Sequence, residues 1–372
     1  VQLAFEHADM VFGTKHEKLN VKRAVPALLA AIGLAHDLGN PPFGHQGETS
    51  MQQWFRQCAS SHKVDIESDF LEFDGNAQTF RLLTKLQVLN DDYGLNLTIG
   101  TLAALIKYPS VYGDSKFGFS KWGVFNSERD IADEVWHLTG LAPGVRHPMT
   151  VIMEACDDIA YSIIDAEDTV KKGYASFYDL IEYIASWTSD EVSREVVSKA
   201  RDANTEFRRL RLSSRELNDV SMQVFRTISI AKMIDAVVET FVSNIKEIMS
   251  GDSTNPFELV KRSRCAEFCR CVKDFDRRHG FQHRDVLKLE LEGNNYIHSA
   301  MDMLWGAVGT GIPVSPFDKY VYGGVSENYR RVFEKSTKSD YAKRQLICDA
   351  MSGMTESYLV KNNKELRALR ER

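Results

Sequence analysis

The sequence predicts an all-α fold, and three observations carry that prediction. Apolar residues recur at helical spacing through most of the chain, as in Phe225-Ile228-Ile230-Met233-Ile234-Val237-Phe241. Strict apolar–polar alternation, the signature of a half-buried strand, is scarce. Clusters of Gly, Pro, Ser and Asn, such as Gly251-Asp252-Ser253-Thr254-Asn255-Pro256, separate the periodic runs.

The elements follow in order. Residues 25–38 (VPALLAAIGLAHDL) are apolar nearly all round and predict a buried central helix, with Pro26 in its first turn. Gly39 reads as a left-handed stop, and Pro41-Pro42 prevent continuation. A new helix is expected from about Gln46 to Cys58, carrying Met51 and Trp54. Residues 72–90, 99–107 and 148–172 also read as helices. The segment 109–130, rich in Gly, Ser, Lys and aromatics, reads as a surface excursion. Helical spacing fills 176–250, and a C-terminal helical block follows the 251–256 break, with one short hairpin expected near 316–325.

Composition sets bounds. The 372 residues, 43% apolar and 26% charged, can bury a large core as one extended domain or two merged ones. A net charge of −6 argues against bulk electrostatic binding of nucleic acid. No apolar run reaches the ~18 residues of a membrane span. Six scattered cysteines fit a reducing, cytoplasmic setting better than a disulfide framework. The opening Val1-Gln2-Leu3-Ala4-Phe5 reads as the middle of a helix, so the chain is expected to begin inside a longer protein, and it shows no signal peptide.

The chemistry concentrates in Ala35-His36-Asp37-Leu38-Gly39-Asn40-Pro41-Pro42-Phe43-Gly44-His45-Gln46-Gly47-Glu48. An adjacent His-Asp pair can put an imidazole nitrogen and a carboxylate oxygen on one divalent ion. Alone, such a pair is more often a core histidine bonded to its neighbour. His45 and Glu48 change that weighing: three apart at a helix start, they share a face, and a Glu that holds a His raises its basicity and fixes its tautomer. The glycines at 39, 44 and 47 would let backbone approach a bulky ligand. Asp157, Tyr161 and Asp165, spaced by four, fall on one stripe of a helix, opposite the apolar Ala155, Ile159 and Ile163. That stripe is a solvated face or, beside a His-Asp pair, one metal ligand and two substrate contacts.

Together these residues resemble the HD-domain deoxynucleoside triphosphate triphosphohydrolases. HDLGNPPFGHQGE, FDGNAQTFRLL, LIKYP, RHPMTVIMEACDDIAYSIIDAED, LKLELEG and ICDAMSGMTESY each resemble a family block, in family order, over most of the chain. The resemblance implies an HD-domain helical core over 1–172 and a helical C-terminal region, 173–372, that completes the site and makes oligomer contacts. It implies hydrolysis of a dNTP to deoxynucleoside plus inorganic triphosphate, with His36, Asp37 and Asp157 as metal ligands and His45–Glu48 as the catalytic dyad. Tyr161 and Asp165 match the sugar-reading pair, Asp165 on the 3′-hydroxyl and Tyr161 against C2′. Asn76, Lys107 and Tyr108 fall in phosphate-contacting blocks. Lys107 and then Arg344 are the cations expected to meet the triphosphate, ahead of Arg146, Arg330 and Arg331.

The metal expected is Mn or Mg, with Fe, Co and Ni open to the same donor set. The family's fourth ligand, a His in an Arg-x-x-His-Ser-x-Glu-Val block, has no counterpart upstream of His36; His7 and His16 lack those neighbours. Asn40 stands where many relatives carry His and leans the substrate toward dGTP. Implied partners are a homo-oligomer (hexamer or tetramer) and single-stranded DNA. The competing readings are another HD nucleotide phosphohydrolase and a weakly catalytic regulator that binds dNTP or single-stranded DNA. No GxxxxGK[ST] loop is present, against P-loop chemistry. Cys265, Cys269 and Cys271, with His279 and His283 following, match no common zinc spacing and read as buried thiols. The basic run Arg208-Arg209-Leu210-Arg211-Leu212 with Arg215 reads as a solvated helix face.

Overall fold

A computed structural model describes residues 1–13, 15–63, 65–87, 93–187, 190–253, 256–309 and 313–370. The fold is all-α, as expected. Among the described residues there is no strand, only an isolated bridge between Val111 and Val124. No helix among them is long and apolar enough to cross a membrane. The chain divides into two compact units, the first formed by Val1–Gly33, Pro148–Asp252 and Phe257–Lys288, the second by Leu34–His147, Ser253–Pro256 and Leu289–Arg372.

In the first unit the long helices Pro148–Lys171 and Ser214–Ser243 pack on each other, and Glu191–Arg208 and Ala266–Phe275 pack around them. Ile159, Ile163, Phe225, Phe241, Phe268 and Phe275 fill the core. Full burial of each such side chain contributes about 1.5–3 kcal/mol of transfer free energy. Ser213 and Glu216 form a reciprocal capping box that starts Ser214–Ser243. Glu167, buried in this unit, is neutralised by Arg226 and Lys171, each at 2.7 Å.

The second unit is built on an aromatic and aliphatic core from Gly44–His62, the 66–73 segment, the C-terminal part of Arg284–Val308, and Asp340–Ser352. A buried ionic node braces it. Arg81 donates from Nε and Nη2 to the two oxygens of Asp349 (2.8 and 2.7 Å) and from Nη1 to Glu128 (2.7 Å). Gln78 adds a bond to Asp349 at 2.9 Å. The guanidinium is fully enclosed, so its desolvation is offset only because both carboxylates meet it with bidentate and end-on geometry.

Several expectations are corrected. The 316–325 hairpin is a helix, Pro316–Gly323, started by a capping box between Ser315 and Asp318 with Pro316 in its first turn. The 109–130 segment is not a surface excursion: Val111, Tyr112, Val124 and Phe125 are fully buried, because its aromatics dock into one core cluster of the unit and its valines into another. The first predicted helix runs Val21–Ala35, with Pro26 in its interior rather than its first turn. Nor is it a buried central helix, since only Val21 and Ile32 are buried and Leu34 is 82% exposed. Apolar composition on every face does not oblige burial against the rest of the same chain. Gly39 is not left-handed; the positive φ angles of this loop belong to Phe43 (67°) and Gly44 (54°). The 72–90 helix is Gly75–Arg81 continued by a π turn, Leu82–Leu86, and its last three residues lie outside the described ones, as do 254 and 255 of the 251–256 break.

Candidate functional site

The second unit carries the His-Asp turn and the His45–Glu48 pair. The helix Val21–Ala35 ends one residue before His36, and the uncoiling backbone lets two adjacent side chains turn to one point. His36 Nε2 lies 3.3 Å from Asp37 Oδ2, the imidazole largely buried and the carboxylate exposed. Phe43, held in the left-handed region that a bulky residue seldom adopts, is tied down by a bond from its amide to Glu356 Oε1 at 3.1 Å. The next residue opens the helix Gly44–His62, which places His45 and Glu48 on one face.

His45 Nδ1 sits 3.0 Å from Glu48 Oε2. A carboxylate only accepts, so this bond puts the proton on Nδ1 and leaves Nε2 for a ligand. The other oxygen of Glu48 accepts the amide of Gly75 at 2.7 Å. With both oxygens engaged and the side chain buried, Glu48 is fixed. The hydrogen bond to Glu48 lifts the pKa of His45 above its usual value, against the opposing pull of burial.

Two further charged residues, Lys121 and Asp74, adjoin the dyad. Lys121 Nζ lies 2.5 Å from Asp74 Oδ2 and 3.6 Å from Glu48 Oε2. Burial works against its charge, but Asp74 and Glu48 more than offset this and hold the ammonium charged. Asp74 caps the helix Gly75–Arg81 through Asn76 N–H at 2.9 Å and also receives Asn76 Nδ2 at 2.8 Å. Asn76 therefore belongs to the same cluster as the dyad. The Asp-Gly-Asn triplet ahead of a helix is an N-cap signature that could have flagged Asp74. Lys121, inside the Gly- and aromatic-rich 109–130 segment, has no local signal.

Lys107 and Tyr108 follow the helix Ile99–Leu105. Arg146 donates to the carbonyl of Lys107 at 2.8 Å, and its guanidinium stacks on Phe119 (4.6 Å) and Tyr108 (5.9 Å). Arg344 has a different partner from the dyad: buried on Asp340–Ser352, it donates to Glu67 at 2.7 Å.

In the first unit, Asp157, Tyr161 and Asp165 stand along one stripe of Pro148–Lys171, while Ala155, Ile159 and Ile163 are buried on the other side. Tyr161 is 53% exposed. Burial and the nearby charge of Asp168 push the carboxyl of Asp165 up to about 6. Cys265, Cys269 and Cys271 are buried free thiols in this unit, and burial pushes Cys271 up to about 12. Gly39 and Gly47 serve internal packing, since a Cβ on Gly39 would fall 2.2 Å from Thr79 N and one on Gly47 would fall 2.1 Å from Pro42 O, whereas Gly44 meets nothing and serves its positive φ of 54°.

His36 and Asp37 in the second unit offer one imidazole and one carboxylate, and Asp157 in the first offers a further carboxylate, donor types that a divalent ion accepts.

No family model matches the chain. It is 30% identical to a deoxyguanosinetriphosphate triphosphohydrolase-like protein of Listeria monocytogenes, over 95% of this chain and 79% of that protein. A protein of the same description from Listeria innocua is 30% identical over 90% of this chain and 76% of its own length. A deoxyguanosinetriphosphate triphosphohydrolase of Enterobacter sp. is 27% identical over 90% of this chain and 77% of that protein.

Proposed function

This chain belongs to the deoxyguanosinetriphosphate triphosphohydrolase family, and from that premise we propose that it hydrolyses dGTP to deoxyguanosine and inorganic triphosphate. The observation that carries the reading is the His45–Glu48 bond, with its carboxylate locked by Gly75 and its imidazole open to solvent. An acid/base pair of this build serves a proton transfer to or from a bound ligand, a service worth about 10²–10⁴ in rate.

A bound divalent ion would supply a Lewis acid for the phosphate oxygens, held by His36, Asp37 and Asp157. The protein's own groups do the rest. Water attacks the α-phosphorus, the bond from phosphorus to the 5′-oxygen breaks, and His45 Nε2 gives its proton to that oxygen; the proton shed by the attacking water passes to solvent, from which His45 is recharged. Glu48 keeps Nδ1 protonated and steadies the imidazolium while it lasts. Lys121, anchored by Asp74, keeps positive charge beside the dyad. Asn76, Lys107 and Tyr108 meet the phosphate chain. Asp165 accepts the 3′-hydroxyl, and Tyr161 packs against C2′, where a ribose hydroxyl would clash.

Chromatographic analysis after incubation with dGTP and, separately, GTP in Mn²⁺ tests the proposal. Deoxyguanosine with intact triphosphate, formed from dGTP far faster than the corresponding products from GTP, is the expected result. Release of orthophosphate or pyrophosphate from dGTP would overturn it.

A further inference from the structure

Backbone bonds run within the turn that presents His36 and Asp37. Leu38 N–H reaches Ala35 O and Asn40 N–H reaches Asp37 O, both at 3.1 Å. A single side-chain oxygen from elsewhere ties its two ends together. The hydroxyl of Thr79 donates to the carbonyl of His36 at 3.0 Å and accepts the amide of Gly39 at 2.8 Å. Thr79 is buried, and Gly39 lies so close to it that no side chain fits between the turn and the helix Gly75–Arg81.

That helix is itself immobilised. Gln78 and Arg81, on either side of Thr79 and its neighbour Phe80, are both bonded to Asp349. Its first residue, Gly75, holds Glu48. One short helix thus grips the turn bearing the His-Asp pair at one point and the acid/base dyad at another.

We propose that Thr79 is a positioning residue for the metal pair, its hydroxyl setting the backbone of residues 36–39 so that His36 and Asp37 converge on one ion. The proposal rests on the metal-site reading above. A hydroxyl is required because only it can donate to one backbone group and accept from the other. Valine has nearly the same shape but would leave a buried carbonyl and a buried amide without this partner, loosening the turn. Groups that orient metal ligands from behind typically change metal affinity about 10- to 100-fold when lost.

Thr79→Val and Thr79→Ser in the whole protein provide the test, with two readouts that need no turnover. The first is Mn²⁺ binding followed by titration calorimetry: the Val variant should bind about 10- to 100-fold more weakly, while Ser, which keeps the hydroxyl, should stay within about threefold of wild type. The second is deuterium uptake in the metal-free protein. Uptake over residues 36–47 should rise in the Val variant and not in the Ser variant, with the 340–352 helix unchanged in both, which shows that the fold and the Asp349 node survive. Wild-type Mn²⁺ affinity or wild-type uptake over 36–47 in Thr79→Val would overturn the assignment. So would a general rise in uptake that includes 340–352, since Thr79 would then be a stability residue. Failure of wild-type protein to bind Mn²⁺ would instead defeat the metal-site reading, and the wild-type titration separates that failure from the others.

Discussion

His45 and Glu48 meet at 3.0 Å across the boundary between solvent and core, the imidazole 72% exposed and the carboxylate 6%. The buried partner holds the exposed one, so the reactive group keeps its access while losing its freedom to turn. Glu48 is in turn held by Gly75, and Lys121 and Asp74 close the cluster.

Replacing Glu48 by Gln should lower kcat by about 10²–10⁴ with a smaller change in KM. The pH profile should move as well. Glu48 raises the pKa of His45, so the acid form persists above its usual pH, and activity falls as pH rises through that raised value. In Glu48→Gln this alkaline limb should appear at lower pH. A kcat profile with an unmoved limb would remove His45 from the proton-donor role.

Arg81→Met should destabilise the protein strongly, by about 3–5 kcal/mol, because it strands Asp349 as a buried carboxylate without a cation and leaves Glu128 only Lys85. Urea unfolding of the variant measures this. A loss under about 1 kcal/mol would mean that water or Lys85, 3.1 Å from Glu128, takes over the pairing.

Gly39→Ala should cost about 1–3 kcal/mol or more, since its methyl would overlap Thr79 N and Gly75 O at 2.2 and 2.5 Å. Backbone, not a flexible side chain, is what it meets. Thermal melting in the absence of metal checks this, and an unchanged Tm would contradict the tight docking of the turn.

Tyr161→Ala should narrow the preference for dGTP over GTP by about 10-fold or more, as removing a steric block usually costs 1–3 kcal/mol of discrimination. Asp165 has a carboxyl pushed up to about 6, so it loses its charge as pH falls through that value. KM for dGTP should therefore rise below about pH 6 in wild type and lose this dependence in Asp165→Asn. Parallel kinetics on both nucleotides test the pair; equal discrimination in Tyr161→Ala would sink the steric account.

What was legible in the sequence is the local geometry of the candidate residues, because it is written in local spacing. His36-Asp37, the His45–Glu48 interval and the stripe 157–161–165, spaced by four, each lie within one turn or one helix, where i, i+3 and i+4 fix the face. Lys121, Asp74 and Thr79 join through contacts 40 to 73 positions distant in the chain, and the residues around Lys121 and Thr79 announce none of them. The helix at 316–323 was missed for another reason: its aromatic and β-branched residues resemble a strand, while the Ser315-Pro316 start and the Asp318 cap were the better signal. The 109–130 segment lacks any period because its backbone is irregular, yet its aromatics form core.

The central claim is that water attacks the α-phosphorus and that the bond to the 5′-oxygen is the one broken. Turnover of dGTP in ¹⁸O-labelled water, with both products analysed by mass spectrometry, tests it most directly. The account predicts one ¹⁸O in the triphosphate and none in deoxyguanosine. Label in the deoxyguanosine, or label carried by orthophosphate or pyrophosphate, would contradict it.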